Sequence, residues 1–415
     1  MKVQRSERQA AADGGAAVRP RVLKSTDAAV AAVRALLPAI AERAAEVDGA
    51  CAVSQATIRE LEQAGLFGTL TPRALGGSAL GWEAFVRVVI EIGSVCGSTA
   101  WVYGVLNGHN HLLTRFPEQM QRRILSDPTA HIAVVFRLTD AWNATPVAGG
   151  YSLSGGQGRF CSGIDHSKWV AINAVIAEGP NAGQLAFAMI EQERVPTLSD
   201  WDVLGMRGTQ SRSIIIDAVD VPEENLILAM DLAGPPVGPA ADELAEGAGF
   251  FDWPYFALAP FAIVGAPLGV ARGMIDEAVK GLKGRIARFD DEMIAGQAAS
   301  FYRLSHAAQD IEMAIELILA DARRIDAGQF ADSSMLEQAR FRRNLAGSPQ
   351  QARTAANRLF EAAGGSGIYA AHPIQRMMRD INAGAAHYAF TDDTAAANYG
   401  RALLELPPAR TLAFV

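Results

Sequence analysis

Residues 158–169 form the stretch that decides the fold. They read Gly158-Arg159-Phe160-Cys161-Ser162-Gly163-Ile164-Asp165-His166-Ser167-Lys168-Trp169. Glycine-rich turns precede this stretch and an apolar, β-rich run at 170–176 follows it, so the pattern predicts a strand that ends near Ser162. A hydroxyl and free backbone amides at a strand end can face the polar edge of a flat cofactor. An ordinary β-hairpin has the same local pattern, so the choice between the two depends on the rest of the chain.

Composition limits the class of protein. The chain has 415 residues, 50% hydrophobic and 20% charged, which is typical of a globular protein with two or three domains. Its formal net charge is −8 and it has no run of Lys and Arg, so we expect no nucleic-acid partner. The 3 cysteines lie far apart, which indicates a reducing compartment. With no apolar run of transmembrane length and no signal-peptide core, we expect a cytoplasmic protein without a membrane segment.

The hydrophobic pattern changes twice along the chain. Residues 1–22 are polar and rich in Ala and Gly, which is typical of a mobile tail. Helical spacings predict an N-terminal helical domain over 23–130, and alternation with period two predicts a central β-domain over 131–230. The third region, 231–415, starts as a linker and continues in long helical segments, which indicates an up-down four-helix bundle. These segments are 257–289, 296–328, 332–363 and 373–404.

Several common site motifs are missing. No Gly-x-Gly-x-x-Gly follows a strand, and there is no Walker loop and no Gly-x-Ser-x-Gly elbow. His109 and His111 are two apart on a predicted helix and point to different faces, so we expect no metal site. Residues 250–256 are rich in aromatics. Such a run indicates either a helix start buried in a core or an aromatic wall for a flat substrate.

Three segments carry a resemblance to a known family. The first is Trp201-Asp202-Val203-Leu204-Gly205-Met206-Arg207-Gly208-Thr209, the second is Arg159-Phe160-Cys161-Ser162, and the third is Gly364-Gly365-Ser366-Gly367-Ile368-Tyr369 followed by Pro373, Arg376, Arg379 and Asp380. In their order and spacing they resemble the acyl-CoA dehydrogenase fold. The resemblance implies an α+β multidomain protein with an N-terminal helical domain, a central β-barrel or sandwich and a C-terminal four-helix bundle.

One departure narrows the resemblance. Dehydrogenases of this fold usually place a catalytic Glu two residues before the proline of the last segment, where this chain has Ala371. Alanine cannot remove an acyl α-proton. The chain is more similar to the flavin-dependent monooxygenases of the fold, the oxygenase components of two-component systems such as 4-hydroxyphenylacetate 3-hydroxylase. Those enzymes usually carry a Trp where this chain has Gly158.

The resemblance to these monooxygenases rests on three further matches. They are Phe160-Cys161-Ser162-Gly163 with His166 and Trp169, Trp101-Val102-Tyr103-Gly104 with His109, and Arg379-Asp380 with His387. Asp380, Gly384 and His387 are spaced to share one face of a predicted helix. The resemblance implies that reduced flavin (FMNH2 or FADH2) from a separate NAD(P)H:flavin reductase reacts with O2. A C4a-hydroperoxyflavin then hydroxylates an aromatic, phenolic or indolic, small molecule. It also implies a homotetramer.

The resemblance implies the following site residues. Ser162 is expected at flavin N5, and His109 and His387 at the substrate and the flavin, with the division of roles between them open. Further cofactor-binding residues are Phe136, Phe160, Cys161, Gly163, Thr209, Arg285 and Gly365. Arg285, or alternatively Arg288, is expected to reach a flavin phosphate from the helical bundle of a neighbouring subunit. Substrate contacts are expected from Trp142, Phe251, Trp253 and Tyr255.

Other functions remain open at this point. One is an acyl-CoA dehydrogenase or oxidase with a displaced base, which Ala371 disfavours. Another is an N-oxygenase of amino groups, which shares the fold. A non-catalytic flavin-binding relative is a further alternative.

Overall fold

The structure is a computed structural model that describes residues 3–4, 21–137, 139–286, 298–328 and 333–409. For residues 3–4 and 284–286 it describes the backbone alone. The predicted tail at 1–22 lies largely outside these ranges. Two of its residues form the short strand β1, Val3–Gln4, which pairs antiparallel with Thr197–Leu198.

Between residues 26 and 125 the chain is mostly helical. They are α1 Thr26–Ala50, α2 Gln55–Gln63, α3 Trp82–Gly93, α4 Gly97–Leu113 and α5 Glu118–Leu125. Ser25 and Ser54 cap α1 and α2, because each side chain accepts a hydrogen bond from a backbone N–H of the first turn. Helix α4 is buried along its whole length. It therefore lies at the centre of the molecule, and side chains on several of its faces contact other elements.

The strands that follow lie inside the predicted β-domain. They are β2 Ile132–Val135, β3 Trp142–Val147, β4 Gly150–Ser154, β5 Gly156–Cys161, β6 Trp169–Ile176, β7 Leu185–Glu191, β8 Thr197–Leu198, β9 Arg212–Ile216, β10 Val219–Pro222 and β11 Leu226–Leu228. One sheet has the order β1-β8-β9-β5, and the other has the order β10-β4-β3-β6-β7-β11 with β2 also on β6. Strand β5, which carries the stretch before Ser162, is thus an edge strand of the smaller sheet.

The C-terminal region is helical, as predicted. After the short helices α6 Pro239–Ala245 and α7 Tyr255–Leu258, it contains α8 Phe261–Ile286, α9 Ala298–Asp326, α10 Met335–Ala363, α11 Pro373–Ala385 and α12 Asp392–Leu403. The prediction of one helix over 373–404 was wrong. His387 has extended backbone angles (φ −59°, ψ 139°) and begins a 3₁₀ turn at Tyr388–Phe390, so the chain bends between α11 and α12.

The segment Trp201–Thr209 joins the β-domain to both helical regions. The backbone N–H of Met206 donates to Asp380 Oδ1 on α11 at 2.6 Å, and that of Gly208 donates to Ser98 Oγ on α4 at 3.1 Å. A Cβ on Gly205 would stand 2.2 Å from the Arg379 carbonyl oxygen, so only glycine permits this approach. The segment therefore fixes where β9 begins relative to α4 and α11.

One expectation about membrane segments needs correction. The helical stretch Tyr255–Lys283 is long and apolar enough to cross a membrane by length and composition. In the fold, 78% of its most apolar window is buried among other elements. Its apolar character is accounted for by its position in the helical core.

Candidate flavin and substrate site

Ser162 lies in a row of polar side chains at the end of β5. Its Oγ accepts a hydrogen bond from Trp101 Nε1 at 3.2 Å and lies 2.6 Å from Ser211 Oγ. Ser211 Oγ lies 2.8 Å from Thr209 Oγ1, which donates to the Met206 carbonyl oxygen at 2.9 Å. Helix α4, the end of β5 and the start of β9 thus each contribute to one hydrogen-bonded row.

Phe160 has an unusual backbone and an exposed ring. Its φ is +68°, in the left-handed region that non-glycine residues rarely adopt, and β5 shifts register against β9 between Gly158 and Cys161. The ring is 68% exposed and contacts Trp201 edge-on at 6.0 Å. Strain of this kind is often retained at binding sites. An exposed aromatic face beside the polar row at Ser162 fits a flat, apolar ring with a polar edge, such as a flavin.

His387 lies on the other side of Trp101. The two rings make an edge contact at 5.5 Å, and His387 Nδ1 accepts a hydrogen bond from the Ala389 N–H at 3.2 Å. Burial, together with the smaller effect of the positive charge of Arg342, lowers the pKa of His387 to about 4. His387 is therefore neutral near pH 7. Because the helix ends before His387, the face shared by Asp380, Gly384 and His387 was predicted wrongly.

His109 is buried on α4, and one of its nitrogens has a defined role. Nδ1 lies 2.7 Å from the Ile132 carbonyl oxygen, so in the neutral ring Nδ1 carries the proton and Nε2 has a free lone pair. Burial lowers the pKa of His109 to about 4, although the Ile132 carbonyl opposes the shift. His109 therefore presents an acceptor, held in one tautomer, in the interior between α4 and β2.

Tyr255 and Phe136 belong to an aromatic cluster next to this interior. Tyr255 contacts Phe136 at 6.4 Å and Phe256 at 5.7 Å between ring centroids. The Tyr255 hydroxyl is buried without a hydrogen-bond partner among the described residues, and burial raises its pKa. An enclosed donor of this kind costs free energy unless a ligand accepts its proton. Tyr255 is thus the predicted substrate residue whose surroundings agree best with that role.

Three predicted substrate residues need correction. Trp142 has no exposed surface, lies in the core of the β-domain and donates through Nε1 to the Gly156 carbonyl. Phe251 and Trp253 pack in the helical core, where Arg115 donates to both of their carbonyl oxygens at 2.7 Å. Their rings pack against other residues of the helical core, away from the cluster that contains Tyr255. The interpretation of 250–256 as a helix start buried in a core is the better one for these two residues.

Of the remaining predicted cofactor residues, Cys161 and Gly163 flank Ser162, whereas Gly365 and Arg285 belong to the C-terminal helical region. Cys161 is enclosed in the β-domain core, where burial raises the pKa of its thiol, so only its backbone can face the site. Gly163 forms the turn after Ser162 with φ +73°, and its N–H donates to the Thr209 carbonyl at 3.3 Å. Gly365 precedes α11, whereas His387 follows the C-terminal end of this helix, which spans about 20 Å. The side chain of Arg285 and all of Arg288 lie outside the described residues.

Three residues of the site were not predicted from the sequence: Trp101, Ser211 and Tyr388. Trp101 belongs to a helical segment that carries the resemblance, Ser211 follows Thr209 by two residues, and Tyr388 directly follows His387. The Tyr388 ring lies 4.5 Å from that of His387 and is partly exposed. The spacing of hydroxyls at 209 and 211 was the available signal for Ser211. For the contact between Trp101 and His387 no signal existed, because they are distant in sequence.

Comparison with known proteins identifies the family. Family models for "Acyl-CoA dehydrogenase, N-terminal domain" and "Acyl-CoA dehydrogenase, C-terminal domain" match residues 25–130 and 261–392. The pigment production hydroxylase of a Rhodococcus species is 32% identical over 382 residues, which cover 90% of this chain and 96% of that protein. The chain therefore belongs to the acyl-CoA dehydrogenase family, as the resemblance predicted.

Further relatives narrow the class within this family. The oxygenase component of an FADH2-dependent resorcinol hydroxylase from a Rhizobium species is 28% identical, with 88% of this chain and 91% of that protein covered. The crystal structure of the HsaA monooxygenase from M. tuberculosis superposes with a TM-score of 0.82 at 25% identity, and covers 94% of this chain and 100% of that chain. The protein is thus similar throughout to oxygenase components of flavin-dependent monooxygenases, and the three-part fold is confirmed.

Proposed function

We propose that this protein is the oxygenase component of a two-component monooxygenase, which uses reduced flavin and O2 to hydroxylate a small phenolic or indolic molecule. The observation that carries the proposal is that Trp101 contacts both His387 and Ser162, with the exposed side chain of Phe160 two residues before Ser162. It provides a neutral imidazole, a hydroxyl and an apolar face in one place. When bound, reduced flavin supplies the electrons that activate O2.

The flavin-facing residues have separable tasks. Phe160 provides the apolar face for the ring system, and Ser162 provides the hydrogen-bonding group for its polar edge. His387, held by Trp101 and by the Ala389 N–H, stands where it can hydrogen-bond the reacting oxygen. The buried rings of Trp101 and Phe390 contact His387 and limit the access of water to it.

The substrate-facing residues are proposed from their hydrogen-bonding capacity. His109 Nε2 accepts a hydrogen bond from a phenol, because its Nδ1 already donates to Ile132. This hydrogen bond polarises the phenol O–H and makes the ring carbon more nucleophilic, whereas the His109 pKa of about 4 disfavours complete proton transfer. The Tyr255 hydroxyl donates to an oxygen at another position of the substrate. This assigns the substrate to His109 and the flavin to His387.

An assembly into homotetramers is proposed on exposed apolar side chains. Phe301, Tyr302, Met313 and Leu317 lie exposed on α9, and Ile368 and Tyr369 lie exposed near Gly365. Gly365 precedes α11 and His387 follows it, and the helix spans about 20 Å, so we place the contact of Gly365 with a flavin across a subunit boundary. A separate NAD(P)H:flavin reductase and a cytoplasmic location complete the proposal, in keeping with relatives named as oxygenase components.

The proposal is tested by product formation. Anaerobically reduced FMN or FAD is mixed with the protein and a panel of phenols, indoles and aromatic amines, and isotopically labelled O2 is then admitted. We expect one labelled oxygen on a ring carbon of at least one phenol or indole, measured by mass spectrometry. Oxygen on nitrogen would favour an N-oxygenase instead, and flavin reduction by an acyl-CoA would favour a dehydrogenase.

A matched pair of variants isolates the role of His109. His109→Asn keeps an amide donor at the position of Nδ1 for the Ile132 carbonyl but has no acceptor in place of Nε2, whereas His109→Ala loses both. We expect His109→Asn to keep its melting temperature and to lose about 10²-fold in the hydroxylation rate, the lower end of the usual effect of a group that assists proton transfer. Full activity in His109→Asn would contradict the assignment.

A further inference from the structure

The hydrogen-bonded row at Ser162 fixes the direction of each of its protons. Trp101 Nε1 can only donate to Ser162 Oγ, and the Met206 carbonyl oxygen can only accept from Thr209 Oγ1. Three hydroxyl protons then have to serve three contacts. All three are satisfied only when Thr209 donates to Met206, Ser211 donates to Thr209 and Ser162 donates to Ser211.

This arrangement leaves Ser162 with one kind of hydrogen bond to offer. Its proton is used on Ser211 and one lone pair is used by Trp101, so the remaining lone pair can only accept. The N5 atom of a reduced flavin carries a proton and donates, whereas N5 of an oxidised flavin has only a lone pair. Ser162 therefore matches the reduced form and faces the oxidised form with lone pair against lone pair.

The row is held rigidly at its far end. Thr209 and Ser211 are buried, and the Met206 N–H donates to Asp380 Oδ1 at 2.6 Å, which fixes the peptide segment whose carbonyl ends the row. Met206 itself has a left-handed backbone (φ +53°). The Met206 carbonyl oxygen also accepts from the Thr209 N–H at 3.1 Å and from Trp201 Nε1 at 3.4 Å. Reversing the hydroxyl protons would still place Thr209 Oγ1 and this carbonyl oxygen lone pair against lone pair at 2.9 Å, which is unfavourable.

We propose that Ser211 and Thr209 are positioning residues that hold Ser162 as a hydrogen-bond acceptor and thereby make the site selective for reduced over oxidised flavin. The inference rests on the proposed function, and it takes N5 as the atom of the flavin's polar edge that Ser162 contacts. It adds that the selectivity is set by two buried side chains that act through Ser162, so Thr209, predicted to bind the cofactor, has a positioning role instead.

The test compares the affinities of the two redox forms in matched variants. Dissociation constants for oxidised flavin in air and for reduced flavin under anaerobic conditions are measured for wild type, Ser211→Ala, Thr209→Val and Ser162→Ala. Ser211→Thr keeps a hydroxyl in the row. Ser213→Ala, two residues further along on β9, removes a hydroxyl that donates to Asp200 outside the row. Melting temperatures check that each variant is folded.

In Ser211→Ala the Ser162 proton is free to turn to an oxidised N5. We expect oxidised flavin to bind more tightly and the preference for the reduced form to fall about tenfold. A weaker preference for the reduced form lowers the midpoint potential of the bound flavin. For a two-electron couple, a tenfold change corresponds to a fall of about 30 mV. Thr209→Val should act in the same direction, and Ser211→Thr and Ser213→Ala should resemble wild type.

Two outcomes overturn the inference in distinguishable ways. If wild type prefers reduced flavin and Ser211→Ala keeps the same preference and potential, the positioning role is wrong while the proposed function stands. If wild type binds neither redox form, the proposed function falls and the inference falls with it.

Discussion

Ser162 and Phe160 are two residues apart, and different constraints decide which residue types can replace them. Ser162 is limited by hydrogen bonds, since both Trp101 and Ser211 contact its Oγ. Phe160 is limited by its backbone, since φ is +68°. Neither limit can be read from the residue types alone, because both depend on β9 and α4 lying beside the end of β5.

The backbone of Phe160 leads to a prediction about stability and binding. Asn tolerates the left-handed region better than Phe, and the exposed ring contributes little burial. We expect Phe160→Asn to stabilise the flavin-free protein by up to about 1 kcal/mol and to weaken flavin binding. The melting temperature and the flavin dissociation constant check the two effects. Phe160→Tyr is the control, and equal flavin affinity in Phe160→Asn would refute the proposed contact.

His109 gives a prediction about pH. Its folded pKa of about 4 lies below the ordinary value of 6.5, so between these values the unfolded chain binds more protons than the folded one. The contribution of His109 to stability is therefore complete above pH 6.5 and is lost as pH falls toward 4. We expect His109→Gln to show a smaller drop in melting temperature between pH 7 and pH 5 than wild type. An equal drop would show that His109 is not buried in its neutral form.

At the scale of elements, a tryptophan on β3 fills the space beside a glycine on β5 where related monooxygenases usually have a tryptophan. This chain has Gly158 where those enzymes usually carry Trp. A Cβ on Gly158 would stand 2.2 Å from Trp142 Cη2, so the ring of Trp142 from β3 fills the space beside Gly158. The residue predicted to contact the substrate thus packs the β-domain at the position where the difference occurs.

A double-mutant cycle tests this compensation. We expect Gly158→Ala to destabilise the protein by about 1–3 kcal/mol through overpacking, and the same change in a Trp142→Leu background to cost less. Chemical unfolding of the four proteins measures the coupling. Gly281→Ala, at a helical position where a Cβ meets nothing within 4 Å, is the control and should be neutral or stabilising. Additive effects at 142 and 158 would mean that the two residues do not share the space.

The bend between α11 and α12 is the other element that matters for the site. Helical spacing over 373–404 is continuous enough to predict one helix, yet the chain turns at His387. The turn is stabilised by Gln350, whose Nε2 donates to the carbonyl oxygens of Ala385 and Phe390 at 2.7 and 2.8 Å. A side chain from α10 thus stabilises the break that brings His387 to Trp101.

At the scale of the whole molecule, the exposed apolar face of α9 predicts assembly. Apolar side chains exposed to water in this number indicate an interface. We expect the protein to be a tetramer by light scattering, and Met313→Glu or Leu317→Glu to produce smaller species with weaker flavin binding. Glu312→Lys changes charge on the same helix and is the control. A monomeric wild type that binds flavin fully would contradict the prediction.

The sequence by itself determined the order of the three regions, the strand before Ser162 and the family. Those features depend on local periodicity, turn residues and short motifs, which are properties of neighbouring residues. Only the tertiary structure decided that Trp142, Phe251 and Trp253 are core residues, that His387 begins a turn, and that Trp101 and Ser211 both contact Ser162. Burial, a helix break stabilised by another helix and a row of hydrogen bonds between elements all arise from contacts between residues distant in the chain.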